Sequence, residues 1–299
     1  MQRAYFYVGL AIVGWSTVAT AFKMALRTLD SWQLLAGSSV ASSLVLLMTL
    51  VGQRKLSLFL AQTPAQLRLS ALQGLLNPCG YYVLLFLAYA RLPAQAALAL
   101  NYVWPLALAV LAVPVLGEKW RWRTLVALGI SLVGVLLIAS GGQWQTLQIE
   151  DPLGVALALS SALVWASYWL TNVRDQRDSV VKLATGFLFG SSYALLLVPL
   201  FSQVRMPTWA EVGWLSYVGT MEMGLTFVWW LRGLELAPDR GAIANWVYVA
   251  PFLSLALIAG VLGERIHLSS LLGLGLIIGS ILWQAQQKSA NSRASNNLS

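Results

Sequence analysis

Charge is scarce in this chain, and so are the residues that most often carry chemistry. Only 10% of the 299 residues are charged, whereas an average soluble domain has about 25%. Cysteine and histidine occur once each, as Cys79 and His267. A single cysteine excludes an intrachain disulfide and a cysteine metal cluster. The sequence also has no glycine-rich nucleotide-binding loop. We therefore expect no enzyme activity, no metal and no cofactor.

Apolar residues make up 58% of the chain, more than a soluble globule of this length could bury. Ten long apolar windows, of which only one contains a charged residue (Glu222), cover residues 4–22, 31–53, 69–90, 92–117, 124–149, 152–173, 183–204, 212–231, 241–263 and 266–287. Each is close to or above the roughly 20 residues with which a helix crosses a bilayer. The runs lack the alternation of barrel strands. The sequence therefore predicts an all-α polytopic membrane protein with ten transmembrane helices.

A short phrase occurs twice in the chain, as Leu-Gly-Glu-Lys at 116–119 and Leu-Gly-Glu-Arg at 262–265. Pro105 and Pro251 stand at the same distance before the two copies. The chain is therefore predicted to contain two similar halves, and we assign the first five-helix repeat to residues 1–146, the second to 147–286 and a disordered cytoplasmic tail to 287–299. Because five is odd, the second half must insert upside down. Inverted repeats of this kind are typical of secondary transporters, although a duplication within an inert helical bundle remains the alternative.

The basic residues are unevenly distributed between the two predicted faces of the membrane. The formal net charge is +8, which by itself could indicate nucleic-acid binding. Most Lys and Arg residues, including Lys55, Lys119 and Arg177, fall in loops on the face that holds both termini. Cytoplasmic loops carry such an excess. We therefore expect both termini in the cytoplasm and no nucleic-acid partner.

Polar and aromatic residues within the spans are the candidates for a binding site, because lipid offers polar groups no partners. Asn101 and Trp104 are spaced i, i+3, and Trp165 and Tyr168 repeat that spacing, so each pair shares a helix face. An aromatic cavity with amide and hydroxyl groups suits a flat amphipathic solute. Plain packing is the alternative for the deep tryptophans. The candidates for the cavity are Trp15, Ser16, Asn77, Tyr81, Tyr82, Asn101, Tyr102, Trp104, Trp165, Tyr168, Asn245 and Tyr248.

Glu222 is the single carboxylate near the middle of a predicted span. An ionised carboxylate in hydrocarbon is costly, so this side chain should face the interior of the bundle. It could couple transport to protons, or it could be a protonated glutamic acid bonded to a neighbouring helix. Pro105 and Pro251 are candidate hinges, because proline frees a backbone hydrogen bond.

Three motifs give the chain a family resemblance. They are Trp-Ser-Thr at 15–17, Asn-Tyr-Val-Trp-Pro at 101–105 and Trp-Ala-Ser-Tyr at 165–168. With its predicted topology, the chain resembles the EamA type of the drug/metabolite transporter superfamily, and within it the exporters of aromatic amino acids. The resemblance implies ten spans in two inverted halves and a central cavity surrounded by spans one to four and six to nine. It implies a location in the inner membrane of a bacterium. It also implies that Trp15, Asn101, Tyr102, Trp104, Trp165 and Tyr168 line that cavity.

The sequence and the resemblance together lead us to expect a secondary transporter. It should export aromatic amino acids and related amphipathic metabolites by alternating access, with a small-molecule substrate and the lipid bilayer as its partners. Two inverted halves supply both sides of a pathway, so a monomer should suffice. A transporter for another solute class, such as multiple drugs, and a non-transporting membrane module are the alternatives.

Overall fold

The computed structural model describes residues 2–117, 122–140, 149, 151–238 and 243–296, with side chains as far as Gln284. All regular structure in these residues is helical. The helices are α1 (Gln2–Ala25), α2 (Ser31–Gly52), α3 (Leu56–Leu60), α4 (Pro64–Gly74), α5 (Tyr81–Arg91), α6 (Ala94–Asn101), α7 (Trp104–Leu116), α8 (Trp122–Ala139), α9 (Pro152–Arg174), α10 (Ser179–Phe201), α11 (Trp209–Met221), α12 (Leu225–Leu236), α13 (Ala250–Leu257) and α14 (Leu268–Asn296).

Eight helical segments in the described residues are long and apolar enough to cross a membrane. They are α1, α2, α4 with α5, α6 with α7, α8, α9, α10 and the segment Asn245–Leu262. Two further predicted spans correspond to α11 with α12, which a break divides, and to the shorter apolar helix Leu268–Gln284. The protein is thus an all-helical membrane protein, and the count of ten spans stays a prediction.

Two of the predicted spans are interrupted near their centres. The first breaks at Leu75–Gly80, where Asn77 has an extended backbone (φ −145°, ψ 118°) and Pro78 has no N–H to donate. The other breaks between α11 and α12, where Gly224 has φ −114° and ψ −98°. Each segment also starts with a threonine cap whose side chain accepts from a backbone N–H three residues on. The two segments therefore begin and break in the same manner.

The candidate hinge prolines lie at helix starts. Pro105 is in the first turn of α7, directly after the bend at Tyr102 and Val103. Pro251 is in the first turn of α13, directly after the tighter helical turn Asn245–Val249. The N–H that proline lacks would have no helical partner at this position. The two prolines therefore mark matching irregularities, and their hinge role stays a prediction.

Contacts between the first and second halves of the chain come in matched pairs. Helix α1 packs against α12, as α5 packs against α9. Helix α2 packs against α11, as α10 packs against α4, and α1 meets α13 as α9 meets α7. The remaining two large interfaces, α2 with α10 and α8 with α14, join corresponding helices directly. The core is therefore formed mainly between the halves rather than within each half.

Polar contacts tie the antiparallel helices α2 and α10 together along their length. Lys55 pairs with Asp178 at 2.7 Å at one end. The Ser43 and Ser191 hydroxyls lie 2.7 Å apart in the middle, and Ser202 donates to Asp30 at 2.5 Å at the other end. Because lipid competes weakly for such bonds, the seam fixes the register of the two halves.

The repeated phrase ends a helical segment in each half. Gly117 and Gly263 both have φ +70°, the left-handed conformation that glycine adopts without steric cost. Glu118 lies outside the described residues, whereas Glu264 accepts hydrogen bonds at the start of α6.

The C-terminal helix α14 continues to Asn296. Residues 285–296 contain no glycine or proline that would end it. The disordered tail over residues 287–299 stays a prediction. The cytoplasmic location of this end stays a prediction.

Candidate functional site

A cavity of about 210 Å³ lies at the centre of the bundle, between the two halves. Its walls come from α1, α5, α6, α7, α9, α12 and the residues just before α13. Helices α2 and α10 contribute no lining residue, although the resemblance implies that their spans surround the cavity. The helices that line it include those that break or bend, because an interrupted helix leaves room beside its axis.

Eight of the twelve candidate residues line this cavity. They are Trp15, Tyr81, Asn101, Tyr102, Trp104, Trp165, Asn245 and Tyr248, and Glu222 lines it as well. The sequence therefore selected residues that the fold brings together from both halves.

Trp165 is the centre of the aromatic wall. Its ring stacks on Tyr81 at 4.6 Å and on Tyr168 at 5.5 Å between centroids. Trp104 meets it edge-on at 6.5 Å, with an interplanar angle of 89°. Phe227, at 5.8 Å from Trp165, also contacts Trp15 at 5.6 Å. The wall of the cavity thus contains both stacked and edge-on aromatic rings. Either arrangement is favourable for contact with a further aromatic ring.

Asn101 is held in one orientation by hydrogen bonds. Tyr81 donates its hydroxyl to Asn101 Oδ1 at 3.2 Å, and Asn101 Nδ2 donates to Ser161 Oγ at 2.8 Å. The Ser161 hydroxyl in turn donates to the carbonyl of Ala158 at 2.7 Å. The chain of donors ends on a backbone acceptor, so the amide of Asn101 is pre-organised within the cavity wall.

Glu222 stands at the break between α11 and α12 and is only 8% exposed. Tyr82 donates its hydroxyl to Glu222 Oε1 at 3.1 Å. The other oxygen, Oε2, has no partner among the described residues. A buried carboxyl oxygen without a partner is costly, so this atom would gain from binding a proton or a cationic group.

Four candidates lie behind the cavity wall. The Ser16 hydroxyl bonds back to the carbonyl of Val13 at 2.8 Å, and Tyr82 reaches Glu222 instead of the open space. Tyr168 supports Trp165 and accepts from Asn172 at 3.0 Å. Asn77 is buried at the helix break. Helical spacing shows that these residues lie near the cavity, but it does not show which of two adjacent side chains faces the open space.

Several lining residues are absent from the sequence-based set. Phe22 continues the α1 stripe begun by Trp15, at i+7, and Phe227 and Trp230 are spaced i, i+3 on α12. Extending the stripe from Trp15 would have found Phe22, whereas no candidate on α12 leads to Phe227 or Trp230. Tyr89, two turns beyond Tyr81 on α5, would have followed from the same rule.

The chemistry of the lining is aromatic with a few polar groups. No lysine or arginine occurs among the described lining residues. A phosphate group would therefore have no counter-charge there. No group of three or more His, Cys, Asp or Glu side chains suited to a metal was found in the described part of the chain.

One curated relative and one solved structure match this chain over nearly its full length. An uncharacterized transporter of Clostridium kluyveri is 26% identical over 97% of this chain and 96% of its own length. A crystal structure with 22% sequence identity matches with a TM-score of 0.66, covering 94% of this chain and 96% of that one. At that identity the likeness concerns the fold alone.

Two other relatives carry a functional name. The aromatic amino acid exporter YddG of Salmonella typhimurium is 26% identical over 63% of this chain and 66% of its own length. The YddG protein of Ancylobacter novellus is 27% identical over 60% of this chain and 62% of its own length. The relatives are thus named as transporters and not as enzymes. The sequence profile of the EamA-like transporter family matches residues 2–140 and 152–284, and the chain therefore belongs to that family.

Proposed function

We propose that this protein exports aromatic amino acids and related amphipathic metabolites across the bacterial inner membrane by alternating access. The observation that carries the proposal is the aromatic wall around Trp165, with the fixed amide of Asn101 and the buried carboxyl group of Glu222 in the lining of the same cavity. The direction of transport is taken from the two relatives named as exporters.

The proposed architecture is ten spans in two inverted five-helix repeats. The matched interfaces between the halves support it, as does a family match that falls in two stretches of similar length. The excess of Lys and Arg on one side supports a cytoplasmic location for both termini. Since the cavity is built from both halves of one chain, the proposed functional unit is a monomer.

In the proposed substrate pose, the aromatic and the polar lining residues contact different ends of the solute. The ring of the amino acid lies against Trp165 and Trp104, where a stacked and an edge-on surface meet. Its polar end points towards Asn101 and Glu222. A solute with an apolar side chain but no ring would lose the aromatic contacts and bind more weakly.

Glu222 has a proposed second role in energy coupling. Oε2 can accept either a proton or the ammonium group of a solute, but not both at once. Competition between the two would link export to the proton gradient. Glu222→Gln should therefore abolish acceleration by a pH gradient, and the slower exchange of solute that remains should be the same with and without the gradient. A variant that still responds to the gradient would assign Glu222 a purely structural role.

The test of the main proposal is uptake into proteoliposomes, with and without a pH gradient. Labelled tryptophan and phenylalanine should move, whereas threonine should move slowly and a phosphorylated sugar not at all. Trp165→Ala should reduce tryptophan transport by at least about tenfold, because an aromatic pair and its burial together contribute more than about 1.4 kcal/mol. Trp209→Ala is the matched control, since Trp209 is 90% exposed and lies outside the cavity. Absence of aromatic solute movement in the wild type would refute the proposal.

A second candidate function is transport of cationic aromatic drugs. The Glu222 carboxyl group in the lining of an aromatic cavity favours it, because aromatic faces and a carboxylate both attract cations. An aromatic quaternary ammonium compound that enters proteoliposomes when tryptophan does not would favour this candidate over the first.

A further inference from the structure

A second cavity, of about 320 Å³, lies beyond the central one. Its lining is Lys23, Leu26, Arg27, Tyr89, Ala90, Leu262 and Glu264. We call it the outer vestibule, because the proposed topology puts these residues on the periplasmic face. Unlike the central cavity, it presents charges of both signs.

An aromatic plug separates the two cavities. Phe22 contacts Phe86 at 4.9 Å and Tyr89 at 5.2 Å between ring centroids, and all three side chains are buried. Tyr89 borders both the central cavity and the outer vestibule. A solute that moves directly from the central cavity into the outer vestibule therefore passes Tyr89.

The charged residues of the vestibule also hold the corner between α5 and α6. Lys23 donates to the carbonyls of Tyr89 and Leu92, at 2.7 and 2.6 Å, at the end of α5. Glu264 accepts from the backbone N–H groups of Ala94 and Gln95, at 3.0 and 3.4 Å, at the start of α6. Cations at a helix C-terminus and anions at an N-terminus are favourable. The two side chains thus act as a latch that keeps the plug-bearing helix in place.

The zwitterionic end of an α-amino acid is suited to both sides of this latch. Its carboxylate is a stronger acceptor for Lys23 than a neutral carbonyl, and Arg27 adds a second positive charge beside it. Its ammonium group is a stronger donor for Glu264 than a neutral backbone N–H. Occupation of the vestibule would therefore take both latch residues from the helix ends that they hold.

We propose that the outer vestibule is a second solute site for the zwitterionic end of α-amino acids, and that its occupation releases the corner between α5 and α6. The proposal rests on the proposed export function and deepens it. The central cavity recognises the ring, and the vestibule recognises the backbone group that all α-amino acids share. A solute that lacks the carboxylate or the ammonium group can bind only one of the two latch residues.

The test measures how fast a thiol behind the plug reacts from outside. Leu98→Cys, in a Cys79→Ser background, places a thiol in the central cavity at a site only 7% exposed. A membrane-impermeant thiol reagent is added to right-side-out vesicles that contain the full chain. Leu85→Cys, also in the central cavity and 3% exposed, is the second reporter if the first does not fold.

The proposal makes separate predictions for each solute. Tryptophan and leucine should raise the labelling rate by about tenfold, within the usual range for coupling between two sites. Tryptamine, which has no carboxylate, and indole-3-propionate, which has no amine, should raise it by less than about twofold. Lys23→Met combined with Glu264→Gln should label rapidly without solute and respond to none. Arg265→Met, which removes a neighbouring charge outside the vestibule, should behave like the parent.

Equal effects of tryptophan and tryptamine would overturn the proposal, as would a double variant that still labels slowly and responds to tryptophan. The labelling rate measured with leucine tests this proposal independently of the export function. If leucine opens the path but no aromatic solute is transported, the vestibule proposal stands and the assigned substrate is wrong. If aromatic solutes are transported but no zwitterion changes the labelling rate, the export function stands and the vestibule proposal is wrong.

Discussion

Close approach of the two halves at two glycines gives the sharpest test of the fold. A Cβ atom added to Gly74 would lie 2.3 Å from the carbonyl oxygen of Gly186 and 2.8 Å from the amide nitrogen of Gly190. A Cβ atom on Gly219 would lie 2.5 Å from the carbonyl oxygen of Ser38. All three obstacles are backbone atoms, so no side-chain rotation can relieve the overlap.

The size of the effect follows from these distances. Ordinary contact begins at 3.4 Å, so Gly74→Ala requires the α4–α10 interface to open by 3.4 − 2.3 = 1.1 Å at this point. Overpacking of this kind costs about 1–3 kcal/mol, and replacing a helical glycine by alanine returns about 0.5–1 kcal/mol. We therefore expect Gly74→Ala and Gly219→Ala each to lower the free energy of unfolding by about 1–2 kcal/mol.

Thermal and denaturant unfolding of the purified protein in detergent measures the effect. Gly129→Ala on α8 is the matched control, because a Cβ atom there meets nothing within 4 Å. The control should be unchanged or more stable by up to about 1 kcal/mol. If Gly74→Ala and Gly219→Ala are as stable as the control, the helices do not cross as described. If only one of them is destabilised, the two interfaces are not equivalent.

Three further predictions concern polar groups. Ser43→Ala and Ser191→Ala should each destabilise the protein by about 1 kcal/mol and the double variant by less than their sum, because the two changes remove one shared hydrogen bond; additive losses in a double-mutant cycle would refute that bond. Burial raises the pKa of Asp175, but hydrogen bonds and the charge of Arg177 outweigh it and hold the pKa below its usual value. The stabilisation should be complete above about pH 3.9 and lost as the pH falls through the lower pKa of the folded state, so Asp175→Asn should be less stable than wild type at pH 7 and the difference should shrink in acid. Asn101→Leu should lower kcat/KM for tryptophan by about tenfold, the equivalent of about 1.4 kcal/mol of lost hydrogen bonding, with unchanged membrane insertion; loss of insertion instead would indicate a packing role.

The positions of the helices could be read from the sequence because their physical cause is local. A long apolar run must be helical in lipid, where the backbone has no other partner. The windows 31–53 and 152–173, for example, differ by only one or two residues from the helices Ser31–Gly52 and Pro152–Arg174. The break at Pro78 has a local cause as well, since proline removes a helical donor.

The rotation of each helix about its axis could not be read in the same way. In a soluble protein a polar face marks the outside of a helix, but here both the lipid-facing and the buried faces are apolar. Tyr81 therefore lines the cavity while its neighbour Tyr82 lies behind it, a distinction set by contacts such as that of Tyr82 with Glu222. The direction in which Ser16 points could not be read from the sequence either. Its hydroxyl donates to a carbonyl within its own helix, so it needs no partner on another helix.

The meeting of Ser43 with Ser191 bears on the ancestry of the chain. They lie on α2 and α10, the second long helices of their respective halves, and their hydroxyls touch at 2.7 Å. In the proposed inverted repeat the two serines are counterparts, and a surface whose central residue contacts its own counterpart is self-complementary, as are the surfaces of symmetric dimers. A five-helix ancestor with such a surface would pair with a second copy of itself before any fusion. Joining the two copies through a loop would then preserve every interface, so the single chain could arise without passing through a form that does not fold.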